Sequence, residues 1–246
     1  MLTRRQLLQG SLATGALLGL GACSRRSGPA LLAGVGELPK AWSATLPSPW
    51  RLEDAAQPQA IVEALNQHRR AVALVALSDG WATSLNPALL QPLQAPALLA
   101  RLNAAAAAVS RLYGAPDGAP LAFPWAFSPW VLALRNQPEL VQAARRSWQV
   151  LLDPRLKGRL VLPSSPRISI ELMGADPRLL RQLRRQALAC DEAQGLNLLL
   201  NGDARAAVLP LQRLIPLLRR DPRLQVVLPA SGAPLNWQLL LRPAGS

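Results

Sequence analysis

The strongest constraint on the fold is a repeated alternation of short apolar runs with helical segments. The longest run, residues 71–77, is entirely apolar and ends at Ser78-Asp79-Gly80. A run of this length predicts a strand buried on both faces, as in a parallel sheet. Five further segments of strand length are predicted as strands: residues 131–134, 159–162, 206–209, 225–228 and 238–241.

Helical patterns separate these strands. Apolar spacing predicts helices over residues 98–112 and 140–152 and a short helix around Ile61, Val62 and Leu65. Asp176-Pro177 supplies a cap and a first turn for a helix to about residue 189, and residues 211–220 predict a helix broken at Pro216. Strands that alternate with helices predict an α/β fold.

The first 26 residues predict export rather than folding. Arg4-Arg5 precede an apolar run of about 11 residues, 12–22. Roughly 20 residues are needed to span a bilayer, so we expect cleavage rather than a retained anchor. Residues 3–8 resemble a twin-arginine signal, and the small residues before Cys23 resemble a lipoprotein cleavage box. An ordinary secretory signal with a chance cysteine is the alternative.

The likeness to a lipoprotein signal implies that residues 1–22 are removed and that Cys23 becomes the lipidated first residue. Acyl chains on Cys23 would tether the protein to a membrane in the periplasm after export by the Tat or the Sec route. Residues 23–58 are rich in Pro, Ser and Gly, which predicts a tether and an irregular lead-in to the domain. Cys190 is then the remaining thiol, so no internal disulfide is expected.

Composition and charge narrow the functional classes. Half of the residues are apolar, and about 224 remain after cleavage, enough for a real core. The net charge of +13 falls to about +11 without the signal, but the arginines are spread along the chain, so no nucleic-acid partner is expected. The densest group predicts a solvated helix face, with contact to anionic lipid headgroups as the alternative. This group contains Arg178, Arg181, Arg184 and Arg185.

The sequence lacks signatures of catalysis. His68 is the one histidine, and it lies beside Arg69 and Arg70 at the end of a polar helix, where a solvent-facing structural role is expected. Cys/His metal spacing, a glycine-rich phosphate loop and a nucleophile elbow are all absent. We therefore expect a protein that is not an enzyme and uses no cofactor or metal.

Four of the seven tryptophans lie beside the ends of predicted strands, in loops rich in Pro, Ser and Gly. They are Trp81, Trp125, Trp130 and Trp237. Ligands of open α/β sheets bind at strand ends, so these indoles are predicted to wall a cleft. Ordinary core packing is the alternative for each of them.

Residues 147–160, SWQVLLDPRLKGRL, resemble a segment of periplasmic solute-binding proteins of the spermidine/putrescine type. Weaker similarities occur in the same order at residues 74–81, 123–127, 201–203 and 232–243. The resemblance implies a periplasmic-binding-protein-like fold, in which two α/β lobes joined by crossover strands close on a ligand. It implies a first lobe over residues 59–135, a second lobe over 136–232 and a crossover return over 233–246.

The sequence departs from this family in two ways. Polyamine binders meet the ammonium groups with carboxylates, but residues 164–168 read SSPRI at the matching acidic positions, and Gln238 replaces an aspartate. The resemblance thus implies a polyamine as the solute, whereas the absence of the matching carboxylates favours a neutral or anionic one. Family members also continue past the last crossover strand, so we expect an incomplete first lobe, through truncation or natural reduction, and an exposed apolar edge at residues 238–241.

The resemblance implies the lipid-anchored solute-binding component of an ABC importer, a monomer whose partners are a small solute and a membrane permease. The expected aromatic walls are Trp81, Trp125, Trp130 and Trp237. The expected polar contacts are Ser78, Asp79, Ser165, Arg167 and Gln238. The alternative is a structural or interaction lipoprotein that has kept the fold and lost transport.

Overall fold

The computed structural model describes residues 28–67, 72–114 and 118–244 and has a mixed α/β fold. The strands are β1 (Ala30–Gly34), β2 (Arg51–Ala55), β3 (Leu74–Ser78), β4 (Leu90–Gln91), β5 (Ala122–Arg135), β6 (Leu160–Leu162), β7 (Ala187–Cys190), β8 (Ala206–Pro210), β9 (Leu224–Val227) and β10 (Leu235–Pro243). The helices are α1 (Lys40–Thr45), α2 (Pro58–Asn66), α3 (Asp79–Ala82), α4 (Pro96–Leu99), α5 (Ala104–Ser110), α6 (Pro138–Arg146), α7 (Pro166–Leu172), α8 (Pro177–Gln186), α9 (Glu192–Asn201) and α10 (Leu211–Leu214). Short 3-10 turns occupy Pro87–Leu89, Trp148–Leu152 and Pro154–Leu156.

The strands form one sheet in the order β2-β1-β3-β10-β5-β8-β6-β7, with β4 on β10 and β9 on β5. The strand β5 joins two halves, because its first part pairs with β10 and its second part, from Trp130, pairs with β8 and β9. We call β1 to β4, β10 and the start of β5 the first lobe, and the end of β5 with β6 to β9 the second lobe. Parallel pairs lie on the outer side of each lobe: β2-β1-β3 in the first and β8-β6-β7 in the second.

The two lobes differ in how completely the faces of their sheets are covered. The second lobe has a hydrophobic cluster on each face of its sheet. The first lobe packs α2 on one face, where Ile61, Leu77 and Leu239 are fully buried. Its other face is thinly covered and carries an open apolar groove of about 640 Å³, lined in part by Trp42, Trp50 and Leu240.

Three expectations differ from the structure. Residues 28–58 contain β1 and β2 rather than an irregular lead-in only, because the short run ALLAG of β1 is buried between β2 and β3. The segment 238–241 is not an edge, since β10 lies between β3 and β5. Trp125, Trp130 and Trp237 lie within β5 and β10 rather than in loops, because these strands extend beyond the apolar runs that predicted them.

The helices are shorter than the periodicity predicts. Residues 98–112 are split between α4 and α5, and α5 begins where the Asn103 side chain accepts from the Ala106 N–H. Residues 140–152 divide into α6 and a 3-10 turn. Asp176 caps α8 as predicted, but the chain then turns into β7 at Ala187. No helix among the residues that the structure describes is long and apolar enough to span a membrane.

Candidate functional site

Polar and aromatic side chains meet between the lobes, at the carboxyl ends of parallel strands. In the first lobe, Glu37 follows β1, Ser78 ends β3, and Asp79 and Trp81 lie in α3. In the second lobe, Ser164, Ser165 and Arg167 follow β6, Glu192 follows β7, and Arg213 follows β8. Ligands of open α/β sheets bind outside this edge, so the topology itself assembles a candidate binding cleft.

Direct contacts already join the two sides of this cleft. Arg167 Nη2 donates to Asp79 Oδ2 in an ion pair. The Ser165 hydroxyl donates to the Gly80 carbonyl oxygen at 3.2 Å, and Trp81 Nε1 donates to Ser164 Oγ at 3.2 Å. The helix α3 and the segment 164–167, at the start of α7, therefore form a latch between the lobes.

Asp79 is the buried member of the ion pair, with a side chain 6% exposed against 41% for Arg167. Its Oδ1 accepts from the backbone N–H groups of Gly80, at 2.9 Å, and Trp237, at 3.3 Å. Burial raises the pKa of the Asp79 carboxyl, while Arg167 and the two N–H groups oppose that rise. One carboxylate thus links α3, α7 and β10.

Gly80 allows a close approach of the two lobes. A Cβ atom at this position would lie 2.8 Å from Ser165 Oγ and 3.0 Å from Ser165 Cβ. Because both distances are shorter than ordinary contacts, a side chain here would require Ser165 or α3 to shift.

Two cavities lie beside the latch, one of about 30 Å³ and one of about 160 Å³. Glu37, Glu192 and Arg213 line both of them. The smaller is completed by Ser78, Trp130, Pro210, Gln212, Asn236 and Gln238. The larger is completed by Gln57, Pro58, Gln59, Trp81, Ser164, Cys190, Asp191 and Ala193. Together they form the part of the cleft that remains open in the structure.

Glu37 presents a carboxyl group to both cavities. The group folds over Gly34, where an added Cβ would lie 2.8 Å from Glu37 Cδ. Its Oε2 is buried without a hydrogen-bond partner among the described residues. Burial raises the pKa of the Glu37 carboxyl and Glu192 adds to the rise, whereas Arg213 and the Gly34 backbone N–H oppose it. Glu37 is therefore a desolvated carboxyl group directed into the cleft.

The Glu192 side chain is fixed by two hydrogen bonds to its carboxylate. Its carboxylate accepts from the Ser164 N–H at 2.6 Å and from the Ser164 hydroxyl at 2.8 Å. Its backbone carbonyl accepts from Arg213 Nη1 at 2.9 Å. These bonds fix both a carboxylate and a guanidinium on the second-lobe wall of the cleft.

Seven of the nine residues predicted to contact a ligand lie in three places. Ser78, Trp130 and Gln238 line the smaller cavity, and Trp81 lines the larger. Asp79, Ser165 and Arg167 belong to the latch.

The other two tryptophans that were predicted to line the cleft lie elsewhere. Trp125 packs against Trp42 with ring centroids 4.7 Å apart, and Trp237 packs into the first-lobe core beside Phe127 at 5.0 Å. Neither lines the two cavities. Cys23 and His68 fall outside the described residues.

Glu37, Glu192 and Arg213 were missed as candidates from the sequence. Glu37 and Glu192 follow β1 and β7, which the apolar patterns did not predict. Arg213 follows a strand that was predicted, so its position just past residues 206–209 was an available signal. The described part of the chain contains no group of three or more Cys, His, Asp and Glu side chains suited to a metal ion.

No family model matches the chain, and no curated protein matches its sequence. Its fold is that of periplasmic substrate-binding proteins, as three solved structures illustrate. A putative spermidine/putrescine ABC transporter protein from Listeria monocytogenes has a TM-score of 0.66 at 14% identity, covering 87% of this chain and 72% of that one. A ferric binding protein from Campylobacter jejuni has a TM-score of 0.64 at 12% identity, covering 88% and 76%.

The third is the periplasmic binding protein AfuA from Actinobacillus pleuropneumoniae, with exogenous fructose-6-phosphate bound. It has a TM-score of 0.67 at 11% identity, covering 89% of this chain and 74% of that one. The predicted two-lobed α/β fold is confirmed. Because the similar structures include iron and sugar-phosphate binders, the fold does not single out polyamines.

Proposed function

We propose that this chain is the solute-binding component of an ABC importer. The supporting observation is the cleft itself: two lobes, joined by β5 and by the segment that leads into β10, direct the carboxyl ends of their parallel strands at each other. A solute held there would contact both lobes and favour their closure. Binding and release, without bond chemistry, would be the whole mechanism.

Anchoring and delivery belong to the same proposal. Lipidation at Cys23, after export by the Tat or the Sec route, would keep the receptor at the periplasmic face of a membrane. The closed form would then dock on a permease. The polyamine-type resemblance supports a small nitrogenous solute, and Glu37 and Glu192 supply carboxylates to the cleft.

A second function is favoured by one observation. The latch bridges the lobes directly and leaves two small cavities beside it. A lipoprotein that has kept the fold but uses it for structural or interaction roles would need no larger cleft. The two functions differ in whether any solute stabilises the native protein.

The test is a thermal-shift screen of the mature protein against polyamines, amino acids, sugars, sugar phosphates and small anions. A ligand of the native state raises the melting temperature in a concentration-dependent way, by RT ln(1 + [L]/Kd). Transport predicts a saturable shift for one class of solute. Its absence for every class, in protein shown to be folded by circular dichroism, would support the non-transport function.

A further inference from the structure

We infer that the cleft binds a small zwitterion of the α-amino acid type, with its ammonium group on Glu37 and its carboxylate facing Arg213. The inference rests on the proposed function, since it names the solute class of the same cleft. It is carried by the unpartnered polar atoms, the charges and the dimensions of the two cavities.

Three buried polar atoms of residues lining the smaller cavity lack hydrogen-bond partners among the described residues. They are Glu37 Oε2, Gln238 Oε1 and Trp130 Nε1. Two of these atoms accept hydrogen bonds, and the indole N–H donates one. Buried polar atoms are normally paired, so three unpartnered atoms around one small cavity suit a solute group that both donates and accepts.

The head group of an α-amino acid meets this requirement. Its ammonium group carries three donors, which suit Glu37 Oε2 and Gln238 Oε1. Its carboxylate lies one carbon atom away and accepts from donors such as Trp130 Nε1. Arg213 adds a second donor group, because the hydrogen bond to the Glu192 carbonyl uses only one of its five N–H groups.

The charges disfavour the other solute classes. A simple anion would be repelled by Glu37 and Glu192, which line the same cavities. A diamine would place its second cation against Arg213 and leave the Trp130 donor unpaired. A neutral sugar would bring no cation to the desolvated Glu37 carboxylate.

The dimensions suit a small molecule. The cavity of about 30 Å³ accepts a single polar group, whereas the neighbouring one of about 160 Å³ has room for a short side chain. Trp81 forms part of the wall of the larger cavity. A solute with its ammonium group in the first cavity, its carboxylate at Arg213, which lines both cavities, and its side chain in the second would span them.

The experiment is calorimetric titration of the mature protein with the twenty protein amino acids, followed by matched analogues of the best one. For L-alanine these are ethylamine, which lacks the carboxylate, and propionate, which lacks the ammonium. We expect the amino acid to bind and each analogue to bind about 10- to 100-fold more weakly, the usual effect of losing a charge-assisted hydrogen bond.

Variants test whether Glu37 binds the ammonium group of the solute and Arg213 its carboxylate. Glu37→Gln and Arg213→Gln should each weaken amino acid binding at least tenfold. Glu139→Gln and Arg181→Gln carry the same charge changes at exposed positions outside the cavities and should leave binding unchanged. Arg213→Lys, which keeps the charge but not the planar fork, should fall between the wild type and Arg213→Gln.

The outcomes separate this inference from the proposed function. Equal binding of the amine or of the acid alone, or binding of a sugar or polyamine instead, would overturn the zwitterion and leave a solute receptor. Undiminished binding in Glu37→Gln or Arg213→Gln would also overturn it. Failure of the folded protein to bind any solute in the thermal-shift screen would remove the proposed function itself.

Discussion

Glu37 is the residue at which binding and stability conflict. Its carboxyl group is desolvated, one oxygen is unpartnered among the described residues, and its pKa is raised. We predict that Glu37→Gln stabilises the solute-free protein at neutral pH by on the order of 1 kcal/mol, because a buried charge is replaced by a neutral group of the same shape. Urea unfolding of the wild type and the variant measures this difference.

The pH dependence follows from the sign of the pKa shift. A carboxyl whose pKa is raised in the folded state is favoured when protonated, so its contribution to stability is present below about pH 4.5 and is lost as the pH rises through the folded-state pKa. The advantage of Glu37→Gln should therefore be small at about pH 4 and larger at pH 7. Equal free-energy differences at the two pH values would contradict a raised pKa at Glu37.

Arg167 neutralises the carboxylate of Asp79, which is almost fully buried. We predict that Arg167→Ala destabilises the protein by about 1 to 2 kcal/mol, less than for a fully buried pair because the Arg167 side chain is 41% exposed. Asp79→Asn in the Arg167→Ala background should recover part of the loss, since it removes the uncompensated carboxylate. A double-mutant cycle by urea unfolding measures the coupling, and strictly additive effects would argue against the ion pair.

At the scale of elements, the latch depends on how closely α3 approaches the turn before α7. We predict that Gly80→Ala, and more strongly Gly80→Val, separates the lobes, because the new Cβ would lie within 3.0 Å of Ser165. Small-angle scattering should show a larger radius of gyration. Ser165→Gly should reverse the effect of Gly80→Ala, and Ala105→Val, an exposed change of similar size on α5, should have none.

Elements were predictable from the sequence where local pattern and tertiary role agree. The apolar runs at 206–209 and 238–241 mark strands that are buried inside the sheet, and they were found. The strands β1 and β7 were missed because ALLAG and ALAC contain small residues with no flanking alternation, and pairing with neighbours decides their conformation. The strand β5 was found only in its second half, since two prolines interrupt the pattern before Trp130.

The errors in the predicted strands caused errors in the predicted site. Residues after predicted strands, such as Ser78 and Asp79, were named, whereas Glu37 and Glu192 were not, because their strands were missed. Trp237 was assigned to the cleft from its place in the sequence, but alternation along β10 sends it into the first-lobe core and its neighbours Asn236 and Gln238 to the smaller cavity. Which side of a strand faces the cleft depends on the paired sheet, which no local pattern contains.

At the scale of the whole molecule, the proposed function requires the lobes to exchange between open and closed arrangements. Cys190 can report this exchange, because it is an exposed thiol on the wall of the larger cavity. Partial desolvation of the sulfur raises the pKa of the Cys190 thiol, Arg184 opposes the rise and Glu192 adds to it, so labelling with a maleimide is best done at an alkaline pH of about 8.5. Cys190→Ser supplies the background labelling.

We predict that a saturating solute slows labelling of Cys190 several-fold, because the solute occupies the cavity and favours the closed form. Gly80→Val should accelerate labelling, since its lobes cannot close on that cavity. Exchange between two forms further predicts that the solute protects Gly80→Val less than the wild type, even at concentrations that saturate each protein. Equal rates with and without solute, in a protein whose melting temperature the solute raises, would mean that it binds without closing the cleft, and delivery to a permease would then need a signal other than lobe closure.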